Sequence, residues 1–541
     1  MERYRCEGTP RRRALVAISL LATLTLAAPA TTTAQAPAAE RVVAALFDFV
    51  ETDPAERPYT KDDIEDLLVR NDDSLREFIW QTSRQQVRLN IEVLDWITIN
   101  KRRTDYPPTD AGGLQVVGDA IDELSYFVDL GSYDKVLLFV RPGEPGNPGC
   151  VASLGPEPDT WDTPNGTFTF GWAALGGRPD GYVGGRPVGK GCAWNGRIAH
   201  EYGHTLGFLH SMAVSAGISL DTDMSRCDAR KENPVPASLL DPTYRESVYP
   251  DTCTDTWVTH GADWDMLGGD DGYELYTKHF PVHFHAMWQA RAGWLRDDQV
   301  IEATGSGTYT VTTLERLDGG VKAIRVPLGS DDRHGPVSYW LQTREFSPWT
   351  TLAWIPYSAG PCQVDVRATG TQVFSDWGGY SAGNSYFFRV TNTDDESESI
   401  IRKGSPFRDP FRGVSMEMLG CRVSVDGTSA EVDIAITRTD LELVPPIVAH
   451  FSPQEPTSVI TVSNNSSAAV GVRAVSIRGR HADEFAIDED ACAYRHLEAG
   501  ASCSVMVSYL PGRTGDRQGV LMIDNDDAVA PNLAVALRAI R

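Results

Sequence analysis

Residues 200–210 read His200-Glu201-Tyr202-Gly203-His204-Thr205-Leu206-Gly207-Phe208-Leu209-His210, an unbroken H-E-x-x-H-x-x-G-x-x-H. On a helix, residues four apart share one face, so His200 and His204 reach a single metal ion together. Glu201, one residue round from the first histidine, lies beside that ion. Gly207 is free to take a positive φ, which lets the helix stop and the chain turn back. The turn brings His210 in as a third nitrogen ligand. Three neutral imidazoles leave the fourth position of a tetrahedral zinc ion open to water, as a catalytic site requires. The rival reading, a helix whose histidines only pack or face solvent, leaves the fixed Glu and Gly spacings unexplained. The pattern points to a zinc hydrolase.

Elements that could position this helix lie upstream. Val42 to Phe49 is an apolar run that reads as a strand. Ser74-x-x-Glu77 is a capping-box pattern opening a helix through Phe78, Ile79 and Trp80. Val87, Leu89, Ile91 and Val93 alternate with Arg88, Asn90 and Glu92, giving a strand with one buried face. Leu114, Val117, Ile121, Leu124 and Val128 step by three and four as an amphipathic helix does. Lys135 to Val140 is a third, more fully buried strand, and Thr167 to Leu175 is an extended stretch within a Gly- and Pro-rich region. The order predicts a mixed α/β sheet packed on helices over residues 41–296. Thr167 to Leu175 is the segment expected to pair with an extended peptide along a sheet edge.

From residue 297 the pattern changes to short strands with turn residues, at 307–314, 321–328 and 338–342, predicting a β-sandwich over 297–440. Pro445-Pro446 marks a linker. Beyond it, 447–541 carries strands at 458–462, 472–477, 504–509, 520–523 and 533–537, which fits an immunoglobulin-like sandwich. The fold class expected is therefore multidomain, α/β followed by all-β.

The N-terminus carries Arg11-Arg12-Arg13, an apolar run from Ala14 to Ala28, and small residues at Ala28 and Ala30. That is the pattern of a signal peptide spanning 1–30, so a secreted protein is expected; an excess of Arg over Lys and abundant Ala and Gly suggest a GC-rich bacterial source. Of nine cysteines, Cys6 leaves with that segment. An even number remains, as disulfides in an exported chain require. Proximity along the chain suggests Cys150–Cys192, Cys227–Cys253, Cys362–Cys421 and Cys492–Cys503. A net charge of −25 argues against nucleic acid and anionic lipid as partners. No further segment is long and apolar enough for stable membrane insertion. Oligomeric state is left open by the sequence.

Other metal readings are weaker. Asp270 and Asp271 are calcium candidates, although an acidic turn accounts for them as well. His279, His283 and His285 cluster in sequence, but Pro281 breaks their spacing and no carboxylate lies at helical distance. Asn165, Asn464 and Asn465 stand in glycosylation sequons.

The zinc motif, followed by Asp265-Met266 and by His285-Ala286 through Gly293-Trp294-Leu295, resembles the gametolysin-like and immune-inhibitor-A-like branch of the metzincins. The resemblance covers about residues 41–330, strongly at the motif and loosely elsewhere. It implies one catalytic zinc on His200, His204 and His210, Glu201 as general base, and Met266 as a structural Met-turn beneath the imidazoles. A tyrosine two residues after that methionine, a further ligand in some metzincins, is replaced here by Gly268. The tail resembles the hydin-like, choice-of-anchor-D type of immunoglobulin domain through Phe485, Cys492, Leu497 to Cys503, Pro511 and Gly515. The implied activity is that of a secreted zinc endopeptidase acting on protein or peptide substrates. The alternative is an exported adhesin or binding protein with a structural zinc site. A zinc hydrolase acting on something other than peptides also fits the motif.

Overall fold

The computed structural model describes residues 38–208 with short gaps, 211–215, 283–344 with short gaps, 362–371, 385–391 and most of 400–539. The signal segment, His210, Cys227, Cys253, Met266, Asp270, Asp271 and His279 lie outside the described residues.

Strands make up 47% of the structure, so β-sheet is its main element and helices are few. The first sheet contains β1 (Ala38–Phe49), β2 (Val87–Ile99), β3 (Lys135–Val140), β4 (Cys150–Ala152), β5 (Asp159–Thr163) and β6 (Gly166–Leu175). Its order is β2-β1-β3-β6-β4, with β5 also on β6. The first four strands of that order run parallel, and β4 and β5 return antiparallel to β6. A parallel central strand is covered on both faces and so reads as an unbroken apolar run. Val42 to Phe47 is accordingly sealed from solvent. Period-two alternation sends Val42, Ala44 and Leu46 to one core and Val43, Ala45 and Phe47 to the other.

Helices cover both faces: α1 (Lys61–Glu65), α2 (Leu75–Thr82), α3 (Asp110–Leu124) and α4 (Asn195–Thr205). Ser74 caps α2 by accepting from the Glu77 N–H at 3.4 Å. Glu77 instead accepts from the Gln81 side chain one turn on, so only half of the expected capping box forms. The buried stripe of α3 centres on Val117, Ala120 and Ile121, which turns Leu114 outward to 56% exposure. The helix ends at Leu124, before Val128.

A second, seven-stranded sheet runs Val300–Glu302, Ala323–Asp331, Gly335–Gln342, Val364–Thr371, Ser385–Thr391 and Ser211–Ser215, with Ile400–Ile401 on Val364–Thr371. A four-stranded sheet of Gly307–Thr312, Ala430–Arg438, Val414–Val423 and Phe407–Asp409 completes the sandwich region. One apolar core runs from Val42, Phe78 and Tyr202 into Ile324, Tyr339 and Ile434. Polar clasps secure the joint. Arg84 and Gln85 take left-handed φ values of 57° and 64° just after α2. Arg84 then donates to the carbonyls of Leu314 at 2.8 Å and Arg316 at 2.6 Å.

The tail has its own core, between a four-stranded and a five-stranded sheet. Its first strand, Leu441–Val444, pairs with Thr457–Asn464 and precedes Pro445, so the tail begins nearer Leu441 than 447. Asn464 is fully buried, and its amide donates to the carbonyls of Ala468 and Leu497. That sequon asparagine serves as an internal belt for the turn. Disulfides join Cys150–Cys192, Cys362–Cys421 and Cys492–Cys503, as proximity suggested. Among the described residues no helix is long and apolar enough to cross a membrane.

Candidate functional site

His200, Glu201 and His204 of the motif lie on α4, and every residue of that helix is buried. Its entry is tied to the sheet: Cys192, three residues before Asn195, is bonded to Cys150 at the start of β4. Asn195 donates from its side chain to the Asp73 carbonyl at 2.7 Å. On the sheet side, the Tyr202 hydroxyl donates to Glu40 at the start of β1. At the far end the Lys135 ammonium donates to the Thr205 carbonyl at 2.7 Å, meeting the negative end of the helix dipole.

Gly171 of β6 makes room for that lysine. A Cβ on it would stand 2.9 Å from the Lys135 Cδ and Nζ and 3.3 Å from the Thr205 Cβ. Gly171→Ala is expected to push the ammonium off the Thr205 carbonyl and lower stability by about 1.5–3 kcal/mol, the worth of a charged hydrogen bond. Urea unfolding measures the loss. An unchanged midpoint would show that the lysine relocates at no cost.

His200 and His204 are both buried, and their rings stand nearly perpendicular with centroids 4.7 Å apart. The two Nε2 atoms face each other at 3.1 Å. Two nitrogens on a tetrahedral zinc, each about 2.0–2.1 Å away, stand roughly 3.3 Å apart, so the pair fits the ion. The His204 Nδ1–H donates to the Phe208 carbonyl at 2.7 Å, which leaves the lone pair on Nε2. Gly207 takes φ +80°, as the sequence pattern requires, and the Phe208 N–H donates back to the Gly203 carbonyl. The chain thus leaves α4 by a fixed turn at Gly207 and Phe208. Among the described residues no three His, Cys, Asp or Glu side chains converge as a metal site. His210, the third residue of the motif, lies outside them.

Glu201 is 2% exposed, and burial pushes its carboxyl up to about 7. The guanidinium of Arg197, one turn earlier, opposes that shift from 3.8 Å. Arg197 is itself buried and lies 5.9 Å from the centre of the Trp194 ring.

Beneath the turn sits an aromatic floor. Phe208 stacks on Trp288 and meets Phe284 and Trp294 edge-on. Trp288 belongs to α5 (Ala286–Arg291), which His285 caps by accepting from the Met287 N–H at 3.1 Å. Nδ1 of His285 is thereby committed to the helix, and its ring faces Asp365 at 3.6 Å. His283 is buried edge-on to Phe78. Burial first, then the charges of Arg344 and Arg84, pushes its imidazole down to about 3.

A folded-state value below the ordinary 6.5 means that His283 stays neutral in the native protein while the unfolded chain takes the proton. Its contribution is fully present above about pH 6.5 and is lost as the pH falls toward 3. His283→Asn is expected to remove up to about 1.4 kcal/mol per pH unit from the acid slope of stability in that window. Urea unfolding at pH 7.5, 6 and 5 tests this. Equal slopes for the variant and the parent would rule it out.

The expected peptide-pairing edge needs correction. β6, which contains Thr167 to Leu175, is interior: Lys135–Leu138 pairs on one side, and Asp159–Thr163 and Cys150–Ala152 fold back on the other. The strand at that margin of the sheet is β4, held to the entry of α4 by Cys150. Two participants were missed in the sequence. Arg197 was visible as R-x-x-x-E at helical spacing, whereas the Phe208 carbonyl is backbone and leaves no residue-type signal.

No family model matches the chain, and no curated protein does. Solved structures that match in part include the VesB protease of Vibrio cholerae, at 14% identity over 22% of this chain and 40% of that one, TM-score 0.16. Others are the CupB2 chaperone of Pseudomonas aeruginosa, at 17% identity over 17% and 52%, TM-score 0.15, and PapD-like domain 7 of human CEP192, at 16% over 19% and 84%, TM-score 0.15. The chain spans about half or less of the first two of these structures. Likenesses this partial assign no role.

Proposed function

We propose that the protein is an exported zinc-dependent endopeptidase of the metzincin type, with His200, His204 and His210 holding the ion and Glu201 as the general base. The observation that carries this reading is the pair of Nε2 atoms 3.1 Å apart on a sealed helix, with a carboxylate at the intervening motif position. When bound, zinc would supply Lewis acidity toward a peptide carbonyl and an acidified water. Residues of the chain do the rest. His204 is held in one tautomer by the Phe208 carbonyl, so its ligating lone pair is preorganised. Glu201 would take a proton from water and return it to the leaving amine. β4 offers backbone groups to an extended peptide beside α4. Met266 would lie beneath the imidazoles as an apolar floor.

Disulfides among the described residues fit an oxidising, extracellular or periplasmic compartment. A structural zinc in an adhesin has no use for a buried carboxylate between its histidine ligands. The test is zinc-loaded protein incubated with a denatured protein library, with and without chelator, and read by mass spectrometry. Internal cleavages that vanish with chelator are expected. A zinc-loaded protein that cuts nothing would overturn the reading.

A further inference from the structure

Arg197 stands where helix physics disfavours it. It is the third residue of α4, at the positive end of the helix dipole, and it precedes its carboxylate partner by four residues, the weaker order for such a pair. It is also nine-tenths buried, which is costly for a guanidinium that lacks a counter-charge. Residues that break local rules in this way concentrate at functional sites. Two contacts among the described residues bear on the placement. The guanidinium lies 5.9 Å from the centre of the Trp194 ring and 3.8 Å from Oε1 of Glu201, whose side chain is 3% exposed.

We infer that Arg197 is a positioning residue: braced by Trp194, it holds Oε1 of Glu201 and so presents Oε2 as the oxygen that exchanges the proton. This rests on the zinc-peptidase reading above and adds to it how the base is aimed. A Glu side chain has three rotatable bonds, and loss of its partner would spread the carboxylate over several rotamers. Misplacement of a reacting group by about 1 Å costs up to on the order of 10²-fold in rate. Because this role is exercised on Glu201 and not on a metal ligand, metal content should not depend on it.

The experiment uses the full chain with Arg197→Met, Arg197→Lys, Glu201→Gln and the Arg197→Met/Glu201→Gln pair. In the zinc-loaded protein, Arg197→Met is expected to lower kcat by about 10–10²-fold with KM and zinc content unchanged. Arg197→Lys should recover a large part of that loss, because an ammonium also holds one oxygen. A second readout needs neither zinc nor activity. In urea unfolding of the metal-free protein, Arg197→Met should shift the midpoint in the parent background differently from the Glu201→Gln background, since only the parent retains the ion pair. Equal shifts in both backgrounds together with an unchanged kcat would overturn the assignment. So would a fall in zinc content that matches the fall in kcat, which would make Arg197 a scaffold residue for the metal. A parent protein that cleaves no peptide refutes the peptidase reading instead, while the unfolding cycle still decides whether Arg197 holds Glu201.

Discussion

Glu201→Gln is expected to keep its zinc and to lose peptide hydrolysis, with kcat falling by about 10²–10⁴-fold, the usual contribution of a general base. The substitution is close to isosteric, which matters because Glu201 is 2% exposed and any truncation would leave a void in a sealed helix. What changes is the chemistry of one group: an amide oxygen accepts a hydrogen bond but does not carry a proton away at neutral pH. The motif histidines keep their mutual geometry, because His204 is held by the Phe208 carbonyl and not by Glu201. Zinc analysis beside a fluorogenic peptide assay separates the effects. A zinc-loaded Gln variant that retains the parent kcat would remove Glu201 from the mechanism.

Local pattern was legible and long-range pattern was not. Spacing alone predicted that His200 and His204 share a helix face and that Gly207 turns the chain, and the structure places the two imidazoles 4.7 Å apart with Gly207 at φ +80°. The apolar run Val42 to Phe49 announced a doubly covered strand, because a strand buried on both faces cannot alternate. Three cysteine pairs followed from chain proximity.

Features that depend on distant partners escaped. Thr167 to Leu175 looked like an edge strand, yet whether a strand is interior depends on which segments fold back onto it, here β4 and β5. Leu114 matched the helical period but sits about a quarter-turn from the centre of the buried stripe, a distinction that periodicity over a few residues does not resolve. The continuity of the core from Phe78 to Ile434 was equally hidden, since it is written in packing between segments far apart in sequence. In the tail, the pair of prolines suggested a boundary, but Leu441–Val444 already belongs to the tail sheet and Pro445 follows its first strand.

His204→Ala is expected to abolish stoichiometric zinc binding and, with it, chelator-sensitive hydrolysis. His204 contributes at two levels. Its Nε2 faces that of His200 at 3.1 Å, and its Nδ1–H fastens the turn by donating to the Phe208 carbonyl. Alanine removes the ligand and leaves that buried carbonyl without the donor, so metal affinity and the turn that follows α4 are both disturbed. Loss of an outer hydrogen-bond partner alone costs about 10–100-fold in metal affinity, and loss of a ligand should exceed that. The damage should stay local. The turn is also held by the Phe208 N–H on the Gly203 carbonyl and by the packing of Phe208 against Trp288, and the tail has a separate core. Circular dichroism should therefore retain its β-sheet signal while zinc analysis after dialysis finds substoichiometric metal. His204→Gln serves as a second variant, because its amide can still donate toward the turn but is a poor zinc ligand. Should either variant keep one zinc per chain and parent activity, the pair of facing imidazoles would not be the metal site, and the peptidase reading would fall with it.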